Sequence, residues 1–117
     1  MSRNRLYHHG TTVFSIITDE QGKILGYIVY ELHKRRFEIL RMAGAVTPLV
    51  KKMLSKLTLT RRTVLTYNCP EGNLEILNNL KEKGFKAVQL LRNYFTKAKE
   101  DAIRMRFRLE KEEKVTI

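Results

Sequence analysis

The chain has 117 residues, 43% of them hydrophobic, which suits one domain with one core. Its apolar runs are far too short to cross a bilayer, and Met1–Arg5 does not lead into a secretory leader. Cys69 is the single cysteine, so no intrachain disulfide can form, which fits a reducing, cytoplasmic setting.

The formal charge is +11. Such an excess favours acidic partners by long-range attraction: nucleic acid, a ribosome surface, anionic lipid or a phosphorylated cofactor. Arg35-Arg36, Lys51-Lys52, Arg61-Arg62 and Lys97 to Lys99 form separate clusters along the chain, a pattern that reads first as solvated faces.

In chain order, residues 1–11 read as flexible. Thr12 to Thr18 is rich in β-branched residues and predicts a strand. Asp19 to Lys23 is a turn, and Ile24 to Leu32 the second strand of a hairpin. Phe37 to Met42 predicts a third strand. Thr47 then reads as a helix cap and Pro48 as the first helical residue. Leu49, Val50, Met53, Leu54 and Leu57 fall on one face of that helix. Arg62 to Tyr67 is a strand. Asn73 caps a second helix that buries Leu74, Ile76, Leu77 and Leu80, and Gly84 ends it. Ile103, Met105, Phe107 and Leu109 alternate with Arg104, Arg106 and Arg108, the period of a half-buried strand. Residues 111–117 read as a flexible tail. The order β-β-β-α-β-α-β-β predicts an α+β (α/β) domain with a mixed, mainly antiparallel sheet and two helices.

The segment from Gly84 to Glu110 carries Arg92-Asn93-Tyr94-Phe95, a short loop, then Glu100-Asp101-Ala102 and Met105. It resembles the closing hairpin of RimI-type N-terminal acetyltransferases of the GNAT superfamily. The resemblance implies the larger, later part of that fold, without its first strand and the two helices after it. It implies acetyl-CoA as cosubstrate and an amine acceptor, first among them a protein N-terminus. The rival is a GNAT-shaped binding protein without catalysis, whose basic surface meets nucleic acid or an acidic protein. No membrane partner is expected. A sheet edge left open in such a truncated fold favours a homodimer.

The resemblance also assigns positions. Arg41, Met42, Gly44, Ala45, Val46 and Thr47 match the loop that holds the cofactor's diphosphate at a helix N-terminus, with Val46 expected to crowd it. Asn73 matches a residue that holds the pantetheine arm. The places of the general base and general acid hold Asn68 and Leu80, neither of which transfers protons. Tyr94 matches an acceptor-contacting tyrosine and is the best remaining polar candidate; packing within the hairpin explains it equally well. His8-His9 lacks further ligands at metal spacing, so no metal site is expected.

Overall fold

The computed structural model describes residues 11–109, so the expectations for residues 1–10 and 110–117 lie outside the described residues. Thr11, expected with the flexible start, opens the first strand. The elements are β1 Thr11–Thr18, β2 Ile24–Leu32, β3 Arg36–Gly44, α1 Val46–Thr60, β4 Val64–Pro70, α2 Leu74–Glu82, β5 Lys86–Phe95 and β6 Glu100–Arg108.

Local chemistry fixes the joints. The Asp19 carboxylate accepts from the amides of Gln21 and Lys23 at 2.9 Å each, closing the β1–β2 turn. At the end of α2, Phe85 N–H donates to the Leu80 carbonyl and Gly84 N–H to that of Lys81, both at 3.0 Å. This 6→1 and 5→2 pair needs a left-handed residue, and Gly84 has φ +99°. Asn73 caps α2 as expected, its side chain accepting from Ile76 N–H at 3.2 Å.

Two expectations are corrected. Thr47 is the second residue of α1 and not its cap; Ala45 holds that place without a side-chain hydrogen bond. Pro48 is then the third helical residue, still among the amides that a helix leaves unpaired. Leu74 is 65% exposed, because it opens α2 on the side away from the sheet.

The six strands lie in the order β1-β2-β3-β4-β6-β5. Only β3 and β4 pair in parallel. The β3–α1–β4 and β4–α2–β5 connections both step the same way across the sheet. Two crossovers of the usual right-handed sense then place both helices on one face. One buried cluster agrees, joining Leu49, Val50, Met53 and Leu57 of α1 and Ile76, Leu77 and Leu80 of α2 to Ile28, Ile39, Leu65 and Met105 of the sheet. Among the described residues the opposite face carries no helix, and Phe14 and Leu40 stand exposed on it.

Candidate active site at the splayed strands

The parallel pairing of β3 with β4 stops at Ile39↔Tyr67. Both strands run on, β3 to Gly44 and β4 to Pro70. They part because each is held by its other neighbour: Gly44 pairs with Gly26 of β2, and Pro70 with Ala102 of β6. A bulge at the parting point widens the opening. Val29 faces Arg41 and Tyr30 faces Ile39, so Leu40 is the extra residue. The result is a V-shaped cleft whose facing backbone edges have no ladder between them.

The predicted loop lies at the top of the β3 arm. Ala45 N–H donates to Leu25 O at 3.0 Å, which ties the loop to β2. Pro48 has no amide hydrogen, and Leu49 N–H reaches Ala45 O at 3.2 Å. The amides of Val46 and Thr47 are therefore the ones that α1 leaves for an outside acceptor. The first turn contains no acidic residue. This helix N-terminus is open to an anion, with its dipole favourable.

The six loop residues divide between tasks. Met42 is 6% exposed and packs in the core, so only its backbone belongs to the cleft. Gly44 has φ +86°, and a Cβ there would overlap Leu25 O and lie 2.6 Å from Gly26 Cα. Glycine is thus required by the closeness of β2. Val46, expected to crowd the diphosphate, is partly buried and packs against the core. Arg41 is exposed on the helix-free face, where it lines a groove of about 510 Å³ with Phe14, Tyr27, Val29 and Leu40. Thr47 is exposed and accepts a 2.7 Å hydrogen bond from Asn79 Nδ2. That bond joins α1 to α2, and Asn79 Oδ1 is left buried without a partner. Two open amides at the start of α1 suit a ligand that carries a phosphate.

No family model matches the sequence, and no curated protein does. Solved structures do match. Ard1 from Thermoplasma volcanium superposes with a TM-score of 0.68 at 20% identity, over 77% of this chain and 66% of that one. A chain of the NatC complex bound to Gag peptide and CoA gives 0.72 at 18% identity, over 83% and 71%. A GNAT family acetyltransferase from Elizabethkingia anophelis with acetyl-CoA bound gives 0.67 at 17% identity, over 78% and 72%. This chain has the GNAT fold. It spans about two thirds of the length of these chains, and the strand order and both helices agree with the expected topology.

Within the GNAT frame the remaining candidates fall as follows. Asn68 stands on β4 past the parting point, on the helix-free face. Its Oδ1 accepts from Arg104 Nη1 at 3.0 Å, and Arg104 in turn lies 3.6 Å from a Glu38 oxygen. Asn68 is thus engaged in a polar network. Leu80 is fully buried in the core and does not reach the cleft. Tyr94 is 49% exposed on β5 and packs edge-on to Phe95 at 4.9 Å, so its hydroxyl side is accessible. The β5 strand is bent there: Asn93 has φ 51°, and its amide donates to Asp101 Oδ1 at 2.6 Å. This hydrogen bond between Asn93 and Asp101 ties the two strands of the hairpin together.

Tyr67 was not legible as a site residue from sequence. It is the last paired residue of β4 before the cleft. Burial, with Cys69 nearby, pushes its hydroxyl up to about 12, against an opposing pull from Arg41. It stays protonated and is a hydrogen-bond donor at every physiological pH. Burial also raises the Cys69 thiol to about 11, helped by Glu100, so Cys69 is a poor nucleophile. Among the described residues no group of three His, Cys, Asp or Glu side chains is placed to hold a metal, and no helix is long and apolar enough to cross a membrane.

Proposed function

We propose that the protein transfers an acetyl group from acetyl-CoA to an amine, a protein N-terminus first among the acceptors, as in RimI-type enzymes. The observation that carries this is the V between β3 and β4, with the uncapped start of α1 at its mouth. The Val46 and Thr47 amides would receive the diphosphate. Arg41, exposed beside the cleft, adds a cation for it. Asn73, at the start of α2, stands where the resemblance puts the residue that holds the pantetheine arm.

Acetyl-CoA supplies an acyl carbon already activated as a thioester. The neutral amine nitrogen bonds to that carbon, the C–S bond breaks and the thiolate leaves, and the surplus proton on nitrogen passes to water or to the departing sulfur. Unpaired amides along the β3 arm are suited to polarise the carbonyl oxygen. Tyr67, the last paired residue of β4 before the cleft, would offer its hydroxyl as a donor to the developing negative charge. With Asn68 engaged and Leu80 buried, no side chain at the family's base or acid position moves a proton. The rate then rests on holding a neutral amine beside the thioester, which favours alkaline conditions. Acceptors differ among proteins of this fold: the matched structures include a spermidine N-acetyltransferase and a nourseothricin acetyltransferase. The Tyr94 hairpin supports a peptide acceptor through its likeness to RimI-type enzymes.

The test is thiol release from acetyl-CoA with a panel of peptides and polyamines. Release that depends on a free peptide N-terminus, and stops when the peptide is pre-acetylated, supports the reading. Release by polyamines alone removes the N-terminal assignment. Absence of both release and CoA binding favours the second reading, a binding protein, which Asn68 and Leu80 support.

A further inference from the structure

Two of the basic clusters that are separate in sequence, Arg35-Arg36 and Arg61-Arg62, come together in space. Antiparallel strands carry the β2–β3 turn, the end of α1, the start of β5 and the end of β6 to one end of the sheet. The pairings that mark this end are Leu32↔Phe37, Val64↔Arg108 and Lys86↔Arg106. Lys34, Arg35, Arg61, Lys86, Arg106 and Arg108 gather there. Six of the described acids lie at the other end, while Glu31, Glu38 and Glu82 lie toward the basic one. Asp19 and Glu20 lie in the β1–β2 turn, Glu71 and Glu75 around the start of α2, and Glu100 and Asp101 at the start of β6. The cleft lies at that other end, where lysines and acids are mixed. The basic end is roughly 30 Å away, the length of a nine-residue strand.

Most of these cations are available. The six named above are all exposed, and none makes an ion pair among the described residues. Arg104 is different. It was expected to share a free face with Arg106 and Arg108, but it is held by Asn68 and Glu38. Arg62 is also held, donating to His33 O at 2.7 Å and lying over the Phe37 ring. The helix dipole accounts for Lys81 in the last turn of α2. It does not account for Lys86, Arg106 and Arg108, which lie on strands.

Those three cations surround a notch of about 420 Å³, completed by Gly84, Val88 and Phe107. It exists because β5 begins at Lys86, leaving the end of β6 without an outer neighbour. Arg106 and Arg108 are two residues apart, about 7 Å along the strand, and Lys86 is about 5 Å across from Arg106. A row of cations beside a partly exposed aromatic ring matches a phosphate backbone with bases attached. An acidic peptide would pair with the cations but offer no flat base to the exposed edge of Phe107, whose inner side packs on Phe85. We propose that this end of the sheet binds the phosphodiester backbone of single-stranded nucleic acid, independently of the cleft.

The test is fluorescence anisotropy of the full chain with labelled oligouridylate and oligothymidylate of about 20 nucleotides, a length that spans such a site. Affinity is followed across a potassium chloride series. The triple change Lys86→Gln, Arg106→Gln, Arg108→Gln should flatten the salt slope by about 2, three contacts at about 0.7 each. A control that removes the same charge near the cleft end, Lys23→Gln, Lys51→Gln, Lys97→Gln, should leave the slope unchanged. The pair Lys34→Gln, Arg35→Gln gives a second, turn-borne variant that should also flatten it. Saturating CoA should not displace the oligonucleotide. Equal loss in the control, displacement by CoA, or tighter binding to a polyglutamate peptide or to vesicles of phosphatidylserine would overturn the proposal. Binding of RNA and DNA alike assigns the contact to phosphate; binding of RNA alone assigns it to the ribose as well.

Discussion

Gly22 and Gly44 have the same backbone angle, φ +86°, yet opposite surroundings. A Cβ at Gly22 meets nothing within 4 Å, whereas one at Gly44 runs into the backbone of Leu25 and Gly26. Replacing each with alanine therefore separates conformational cost from steric cost. A left-handed alanine costs about 1–2 kcal/mol. That should be the whole effect of Gly22→Ala. Gly44→Ala adds overlap with backbone that cannot move without parting β2 from the loop, roughly 1–3 kcal/mol more. The expected losses are about 1.5 and about 3.5 kcal/mol, the second a large share of a small domain's stability. Urea unfolding followed by circular dichroism measures both, with an unchanged slope confirming two-state behaviour. If the two variants lose the same stability, β2 does not close against the loop, and the rigidity assigned to the cleft's upper arm is wrong. A glutamate at Gly44 would carry the same strain, so it cannot serve as a clean probe of ligand binding.

Further expectations follow from the same structure. Asn73→Ala removes the cap on Ile76 N–H and should cost about 1 kcal/mol, measured by the same unfolding assay; Asn73→Asp should cost much less. The Cys69 thiol and Tyr67 hydroxyl are held above their ordinary values of 9.0 and 10.0, at about 11 and about 12. The unfolded chain then loses these protons first, so stability should hold below pH 9 and fall as pH climbs from 9 toward 12. A urea midpoint that rises over that range would contradict the assignment. Tyr67→Phe should leave CoA affinity unchanged while slowing acetyl transfer by about 100-fold, the scale of one lost donor to developing charge; unchanged turnover would remove Tyr67 from the mechanism.

The parts of the fold written in local patterns were legible. Period-two alternation gave β6, the Asn73 cap and Gly84 bounded α2, and the hairpin motif led to the right fold. Residues whose role depends on nonlocal packing were not. That Val46 packs partly against the core depends on how the helix is turned, which its sequence position alone does not show. Leu74 has the type and spacing of a core residue, and only its place at the rim of α2 exposes it. Tyr67 looks like any strand tyrosine, because the parting of β3 and β4 is set by their other neighbours and not by their own sequences. Arg35-Arg36 and Arg61-Arg62 look unrelated to Lys86, Arg106 and Arg108 because strand reversal, which brings them to one end, is a property of topology.

The central claim is that the start of α1, inside the V, is a diphosphate site. The most direct test is a titration of ¹⁵N-labelled protein with CoA, followed by amide chemical shifts at moderate salt. The account predicts saturable shifts at Val46 and Thr47, with Asn73 and the Asn79 side-chain amide moving in step. It also predicts little change at Lys86, Arg106 and Arg108. Shifts confined to those three cations, with Val46 and Thr47 still, would show that CoA is held only by charge at the far end of the sheet, and would contradict the claim.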